Sequence, residues 1–395
     1  MWAKMPAVIG CWDMKNFLTI FWAFWSFFIP AAQRGQQSTV PAPPPLMPMT
    51  TMSGLLRLVQ TIPLPTEGYM DHFAVDVKGQ RLFIAGEANK NIVTVDLRAG
   101  KVIQETKGLG GNPRRPFYVS ETNEIWTDLG DNTVVAISGT TYEVTKTVEL
   151  TGGRGAARRT PDNGAYDPVR HLYYAAIVTG SGNTDGSIEI VDTKAGKLVG
   201  SIKMNGNDPG GTSIEPSGKR LYVAMGDIVG GESHLKVVDL DKRAVVAEWP
   251  ITGGPSPHAS GLDPVHHRLF VGSRIKGGHQ YEPGKLVVMD TETGKVIQAL
   301  DSVGGADEVQ FDPATRRIYF VGTTGTLAVF KQLDPDHYQL VGKVPTGALA
   351  KTALYVPELK RMYVAVPKHL VQTIPYGPND HIIEEAHLMV FDYLP

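Results

Sequence analysis

The feature that most constrains this chain of 395 residues is a segment that recurs seven times along it. Each copy has an acidic or turn residue, a short gap, a basic residue or a substitute for it, and then an apolar strand centred on an aromatic residue. The central aromatic residues follow one another at intervals of 43 to 49 residues, and they are Phe83, Trp126, Tyr173, Tyr222, Phe270, Tyr319 and Tyr363. Repeats of about 40–50 residues are typical of the blades of β-propellers.

A second half-repeat follows most copies and predicts two further strands in each unit. It consists of a strand of alternating apolar residues, a tight Gly-Lys turn and another strand, as in NIVTVDLRAGKVI and SIEIVDTKAGKLV. Glycine accounts for 43 of the 395 residues, which suits the many tight turns of an all-β chain. The sequence therefore predicts an all-β fold, a seven-bladed β-propeller of four-stranded blades.

The two ends of the repeat region predict how the ring closes. The last copy supplies only three strands and ends at HLMVFDYLP, whereas an unassigned strand, LLRLVQTIPLP, lies before the first copy. We expect this N-terminal strand to complete the last blade, because that pairing closes the ring and removes an exposed sheet edge.

The repeats resemble the YVTN repeat of YncE-like seven-bladed propellers. The matching residues are RLYVA at 220–224, RMYVA at 361–365, and the VxDxxxGK half-repeats that end at Lys101, Lys197 and Lys295. The resemblance covers about residues 53–395. It implies the propeller fold and a secreted or periplasmic protein. It implies no single activity, because some members are similar to DNA-binding or surface proteins, and related propellers include lactonases and structural subunits of redox enzymes.

The first fifty residues differ in composition from the repeats. An apolar run over residues 17–32 follows Lys15 and ends in small residues, which predicts a signal peptide over residues 1–32. A start at Met14 would make residues 1–13 an extension, and an uncleaved N-terminal membrane anchor is the alternative to cleavage. Residues 33–52 read as a Pro-rich linker, and residues 53–395 as the propeller. The single cysteine, Cys11, would leave with the signal. We expect a secreted or periplasmic monomer without a membrane span after cleavage.

One face of the predicted propeller carries the candidate site. Its loops are long and irregular in four blades, whereas the turns of the opposite face are short and alike. Counting four or five residues back from each acidic repeat position places a ring of polar residues at the mouth of the central channel. These residues are Asp71, His72, Arg115, Asp162, Asn163, Gly210, Gly211, His258, Asp307, Glu308 and Lys351.

Arginines add a second signal on the same face. Arg114 and Arg115 precede the inner strand of blade 2, and Arg154, Arg158 and Arg159 precede that of blade 3. Guanidinium groups suit carboxylate or phosphate, so a solvated loop and a binding patch are both open interpretations. We expect arginines near blades 2 and 3 to face acids at blade 6. The predicted ligand-binding residues are His72, Arg114, Arg115, Arg158, Asn163, His258, Asp307, Glu308 and Lys351.

Three functions remain open from the sequence. The first is binding of a small anionic or zwitterionic ligand, or of a protein partner, at the channel mouth. The second is a metal-dependent enzyme, a lactonase- or esterase-type hydrolase or an oxidoreductase, with His72, His258 and Glu308 as ligands of a calcium, zinc, copper or iron ion. The third is binding of single-stranded DNA, which a net charge of −2 and the few aromatics near the arginines make less favoured. No catalytic residue is assigned, because the sequence has no HExxH, GxSxG or phosphate-loop motif.

Overall fold

The computed structural model describes residues 55–180, 183–226, 233–274, 284–305, 307–372 and 381–394. The predicted signal peptide and linker lie outside the described residues. The described chain is almost entirely β-structure, with one short 3-10 turn at Pro357–Leu359. None of its helices is long or apolar enough to span a membrane.

Seven four-stranded antiparallel sheets form the blades. Strand β1 (Leu56–Pro63) precedes the first of them. From the innermost strand outward, blade 1 contains β2 (Phe73–Asp76), β3 (Arg81–Gly86), β4 (Asn91–Asp96) and β5 (Lys101–Thr106). Blade 2 contains β6 (Phe117–Val119), β7 (Glu124–Leu129), β8 (Thr133–Ser138) and β9 (Val144–Glu149). Blade 3 contains β10 (Arg159–Asp167), β11 (Leu172–Thr179), β12 (Ser187–Asp192) and β13 (Lys197–Lys203).

The remaining blades follow the same order. Blade 4 contains β14 (Pro209–Ile214), β15 (Arg220–Met225), β16 (His234–Asp239) and β17 (Ala244–Pro250). Blade 5 contains β18 (Pro257–Asp263), β19 (Arg268–Ser273), β20 (Lys285–Asp290) and β21 (Val296–Asp301). Blade 6 contains β22 (Glu308–Asp312), β23 (Arg317–Gly322), β24 (Thr326–Asp334) and β25 (His337–Pro345). Blade 7 contains β26 (Ala353–Val356), β27 (Arg361–Val366) and β30 (His387–Tyr393), and a hairpin of β28 (His369–Gln372) and β29 (His381–Glu384) lies between β27 and β30.

The repeated aromatic residues are the packing units between blades. All seven lie on the second strand of a blade and are at most 1% exposed. Phe83 of blade 1, for example, packs in one apolar cluster with Leu129 and Val135 of blade 2. Each apolar cluster spans two neighbouring blades. The aromatic residues therefore recur in the sequence once per interface between blades, where apolar surface is buried.

The acidic residue of the repeat closes the turn after the inner strand. The Asp76 carboxylate accepts hydrogen bonds from the Gly79 backbone N–H at 2.8 Å and from Arg81 Nη2 at 2.8 Å. Arg81 also donates to Asn123 Oδ1 of blade 2 at 2.7 Å. The charged positions of the motif thus hold blades together, on the face away from the predicted site.

Strand β1 closes the ring as the sequence predicts. It pairs antiparallel with β30 and becomes the outermost strand of blade 7, in the order β1-β30-β27-β26. Ile62 lies opposite Leu388 in this register and belongs to the apolar cluster shared by blades 7 and 1. A segment from the start of the propeller therefore completes the sheet built from its end.

This closure predicts a measurable contribution of β1 to stability. Ile62 is 2% exposed, so Ile62→Ala should lower the free energy of unfolding by about 2–4 kcal/mol in guanidinium chloride titrations. Val59 on the same strand is 40% exposed, and Val59→Ala should change that free energy by no more than about 0.5 kcal/mol. Equal effects of the two substitutions would show that β1 does not hold the ring closed.

Candidate ligand site at the channel mouth

The residues before and within the inner strands converge at one end of the channel. Asp71 and His72 precede β2, Arg114 and Arg115 precede β6, and Lys351 precedes β26. Asp162 and Asn163 lie in β10, and His258 lies in β18. Asp307 immediately precedes β22, which begins at Glu308. Seven of the nine predicted ligand-binding residues belong to one connected network of charges, and they are His72, Arg114, Arg115, His258, Asp307, Glu308 and Lys351.

A bridge between blades 2 and 6 crosses the mouth. Arg115 Nη1 donates to Glu308 Oε1 at 3.2 Å, and His72 Nδ1 of blade 1 donates to the same oxygen. Burial alone would raise the pKa of Glu308, but its interactions with Arg115 and then with His72 outweigh burial and lower that pKa. Glu308 therefore stays ionised and holds Arg115 over the channel.

A second branch centres on the buried Asp71. Its carboxylate lies 3.4 Å from Arg114 Nη1, 3.8 Å from Lys351 Nζ and 3.5 Å from His72 Nε2. Burial would raise the pKa of Asp71, but Lys351, His72 and Arg114 together lower it. Arg114 also contacts Glu87 at 2.6 Å. Burial would lower the pKa of Arg114, and the carboxylates around it, Asp162 first, raise it instead.

His258 of blade 5 is a neutral imidazole in this network. Its Nε2 atom lies 3.5 Å from Asp162 Oδ2 and 3.8 Å from Asp307 Oδ1. Burial, followed by the charges of Arg274 and Lys351, holds the pKa of His258 well below its usual 6.5. The two carboxylates beside it do not offset these effects, because cations surround the ring as well.

Two members of the network were not predicted from the sequence. Glu87 follows β3 and contacts Arg114, and Arg274 follows β19 and pairs with Asp307. Each lies four residues after the central aromatic of its blade, Phe83 and Phe270. The signal that could have found them is a charged residue at this repeat position, where the second strand of a blade ends on the loop-rich face.

The charges at the mouth alternate in sign from blade to blade. This corrects the expectation that arginines near blades 2 and 3 face acids at blade 6. Acidic groups come from blades 1, 3 and 6, and basic groups from blades 2, 5 and 7. Two of the cations are more exposed than the acids they pair with, since the side chains of Arg115 and Arg274 are 30% and 31% exposed while those of Glu308 and Asp307 are 9% and 2% exposed. Buried carboxylates thus fix cations whose outer sides meet solvent. Asp162 and Glu87 are the more exposed acids, at 23% and 20%.

Arg158 and Asn163 do not join this network. Arg158 is exposed and packs along Gly180 at the end of β11. Asn163 is buried, and its Oδ1 atom accepts a hydrogen bond from the Gly164 N–H at 2.8 Å. The neighbouring loop arginines are occupied elsewhere, because Arg159 pairs with Glu189 at 2.8 Å and Arg154 with Asp131 at 2.9 Å. The expected patch of five arginines is therefore divided between the mouth and the loop before blade 3.

The predicted metal ligands do not form a metal-binding group. His72 and Glu308 are in contact, but His258 lies with Asp162 and Asp307 instead. Among the described residues, no set of three or more His, Cys, Asp or Glu side chains is placed to hold a metal ion.

A cavity of about 340 Å³ occupies the channel next to Arg115. It follows the inner strands of blades 1, 2, 3, 4 and 7. Its wall mixes apolar and polar surface, because Val75, Phe117, Ile214 and Leu354 contribute partly exposed apolar groups and Tyr118, Tyr166 and Thr212 also line it. The charged mouth and this channel meet at Arg115, which lines the cavity.

Asp128 on β7 is a buried acid that contacts the backbone of Arg115. The Arg115 backbone N–H donates to its Oδ1 atom at 2.8 Å, and its Oδ2 atom has no hydrogen-bond partner among the described residues. Burial raises the pKa of Asp128 to about 7. Because the folded protein then binds this proton more tightly than the unfolded chain does, stability should fall as the pH rises from about 4 to about 7.

The substitution Asp128→Asn should remove that loss, because asparagine stays neutral and keeps the acceptor for Arg115. The free energy of unfolding of the variant relative to wild type should increase by up to about 4 kcal/mol between about pH 4 and pH 8. Denaturant titrations across this range measure the difference, with Asp241→Asn, at a 68% exposed side chain, as the matched control. Parallel pH profiles for wild type and Asp128→Asn would contradict the raised pKa.

Comparisons with known proteins support the fold. No family model matches the sequence, and no curated protein matches it. Among solved structures, a chain of Kuenenia stuttgartiensis hydrazine synthase is similar with a TM-score of 0.64 and 18% identity, over 82% of this chain and 97% of that chain. A chain in the crystal structure of a mitotic checkpoint complex has a TM-score of 0.66 and 11% identity, over 92% of this chain and 99% of that one. At these identities the likeness shows the seven-bladed β-propeller fold alone.

Proposed function

We propose that this protein binds a small anionic or zwitterionic ligand, or a partner presenting such a group, at the channel mouth. The observation that carries the proposal is the alternation of charge around the mouth, where buried carboxylates hold partly exposed cations. A secreted or periplasmic location is part of the proposal. It is supported by the apolar run of residues 17–32 and by the resemblance to YncE-like propellers.

Arg115 is the central binding group in this proposal. Its Nη1 atom donates to Glu308, whereas within the described part of the chain its Nε and Nη2 atoms have no hydrogen-bond partner. A guanidinium with free donors and a fixed position binds a carboxylate or phosphate at little cost in side-chain ordering. Lys351 and Arg114, each partly exposed beside it, would add positive charge for the same ligand.

The more exposed acids suit a ligand that also carries a positive group. Asp162 and Glu87 border the same mouth, and their carboxylates lie 3.7 Å and 2.6 Å from Arg114 Nη1. A zwitterion places each of its charges against the opposite sign in such a ring, whereas a polyanion such as a DNA strand meets these carboxylates as repulsive neighbours. The alternation of charge therefore favours a small ligand over single-stranded DNA.

A second candidate is an acid–base enzyme at the same mouth. It is favoured by His258, a buried imidazole whose pKa lies well below 6.5 and whose Nε2 atom faces Asp162 and Asp307. A neutral histidine oriented by carboxylates has the character of a general base for ester or lactone hydrolysis.

Binding at the mouth predicts a selective effect of Arg115→Gln. Inorganic phosphate and acetate serve as anionic probes in calorimetric or NMR titrations of the protein. We expect Arg115→Gln to weaken their binding about tenfold or more, because a charge-assisted pair with a buried support is lost. Arg154→Gln, on the same face but outside the network, should leave the affinity within about twofold of wild type. Equal affinities of wild type and Arg115→Gln for both probes would overturn the proposal.

The enzyme candidate makes a separate prediction for His258. If it acts as a general base, hydrolysis of an ester or lactone panel should persist below pH 6.5 and fall only as the imidazole protonates at its lowered pKa. His258→Gln should reduce the rate about a hundredfold or more, and His337→Gln, at a 74% exposed side chain, should not. A panel without turnover, or turnover insensitive to His258→Gln, excludes this role.

A further inference from the structure

We propose that the ligand is an amphiphile, a medium-chain acyl carboxylate whose head binds Arg115 and whose chain occupies the central channel. This inference rests on the proposed anion site and adds the chemical class of its ligand. Two features that meet at Arg115 support the inference. Arg115 belongs to the charged mouth, and it also lines a cavity whose wall includes partly exposed apolar side chains.

The channel wall leaves apolar surface only partly covered. Val75, Phe117, Tyr166, Ile214 and Leu354 are all partly exposed, whereas the aromatic and aliphatic residues between blades are almost fully buried. Phe117 stacks on Tyr166 with ring centroids 4.6 Å apart, so these two side chains support each other in the wall. An acyl chain that displaces water from the apolar side chains of the 340 Å³ cavity gains free energy, because their exposed surface is then covered.

The dimensions fit a chain of moderate length. The cavity extends along blade 2 from Arg115 to Tyr118, which is three residues of extended backbone or about 10 Å. A chain of about eight carbons reaches over such a distance, and a longer chain would extend past the cavity. The head is anionic rather than cationic, because the group at the meeting point is the Arg115 guanidinium with free Nε and Nη2 donors among the described residues.

A series of unbranched carboxylates tests the inference. Acetate, butyrate, hexanoate and octanoate are titrated into the protein by calorimetry, with NMR detection for the weak members. Each added methylene should tighten binding about threefold to fourfold until the cavity is filled. Arg115→Gln should weaken octanoate binding about tenfold or more, because the head then loses its charged partner.

A variant in the channel separates the tail from the head. Leu354→Gln places an amide in the cavity wall and should weaken octanoate binding about tenfold while leaving acetate binding within twofold. Leu340→Gln on the outermost strand β25, where Leu340 is 37% exposed, is the matched control and should change neither.

The outcomes distinguish this inference from the anion site itself. Acetate binding that depends on Arg115, with octanoate no tighter than acetate, overturns the amphiphile and leaves the proposed anion site standing. Octanoate binding that is insensitive to both Arg115→Gln and Leu354→Gln lies elsewhere on the protein and also overturns the amphiphile. No binding by any carboxylate or by phosphate removes the anion site and the inference together.

Discussion

The pairing of β1 with β30 is the interaction on which the rest of the structure depends. It adds the outermost strand to blade 7 and so seats that blade between blades 6 and 1. The mouth network draws on six blades, and its links from blade 1 to blades 6 and 7 run across the closure. A ring held open at this point would separate His72 from Glu308. The electrostatics of the site are therefore a product of closure rather than of any single blade.

Within the closed ring, burial and charge pairing act against each other on the same groups. Removing Asp71 and Glu308 from water disfavours their ionised forms, and the neighbouring cations reverse that effect and lower both pKa values. Asp128, which accepts only a backbone N–H among the described residues, shows the opposite balance, and its pKa rises to about 7. The position of the nearest cation decides which buried acid is charged.

The fold was predictable because its signals repeat. The spacing of the aromatic residues predicts the seven blades, and the number of strands at the two ends of the repeat region predicts the closure by β1. Counting back from the acidic repeat positions predicts the residues at the channel mouth. The site was only partly predictable, because its partners are set by distance across the ring. Arg115 and Glu308 are 193 residues apart in sequence, and no local pattern links them. Arg158 makes no contact with the network among the described residues, and its loop does not follow the repeat. Glu87 and Arg274 were missed because only the residues before the inner strands were counted.

The two ends of the propeller meet as neighbouring strands of one sheet, which has a consequence for how the chain can be rearranged. Joining the segment before β1 to the end of β30 by a short linker, and opening the chain at a turn between other blades, would conserve every blade interface. In such circular permutants the ring would close by packing between two complete blades rather than within one shared sheet, and the same charged mouth would be presented. The order of the blades along the gene is thus separable from their order around the axis.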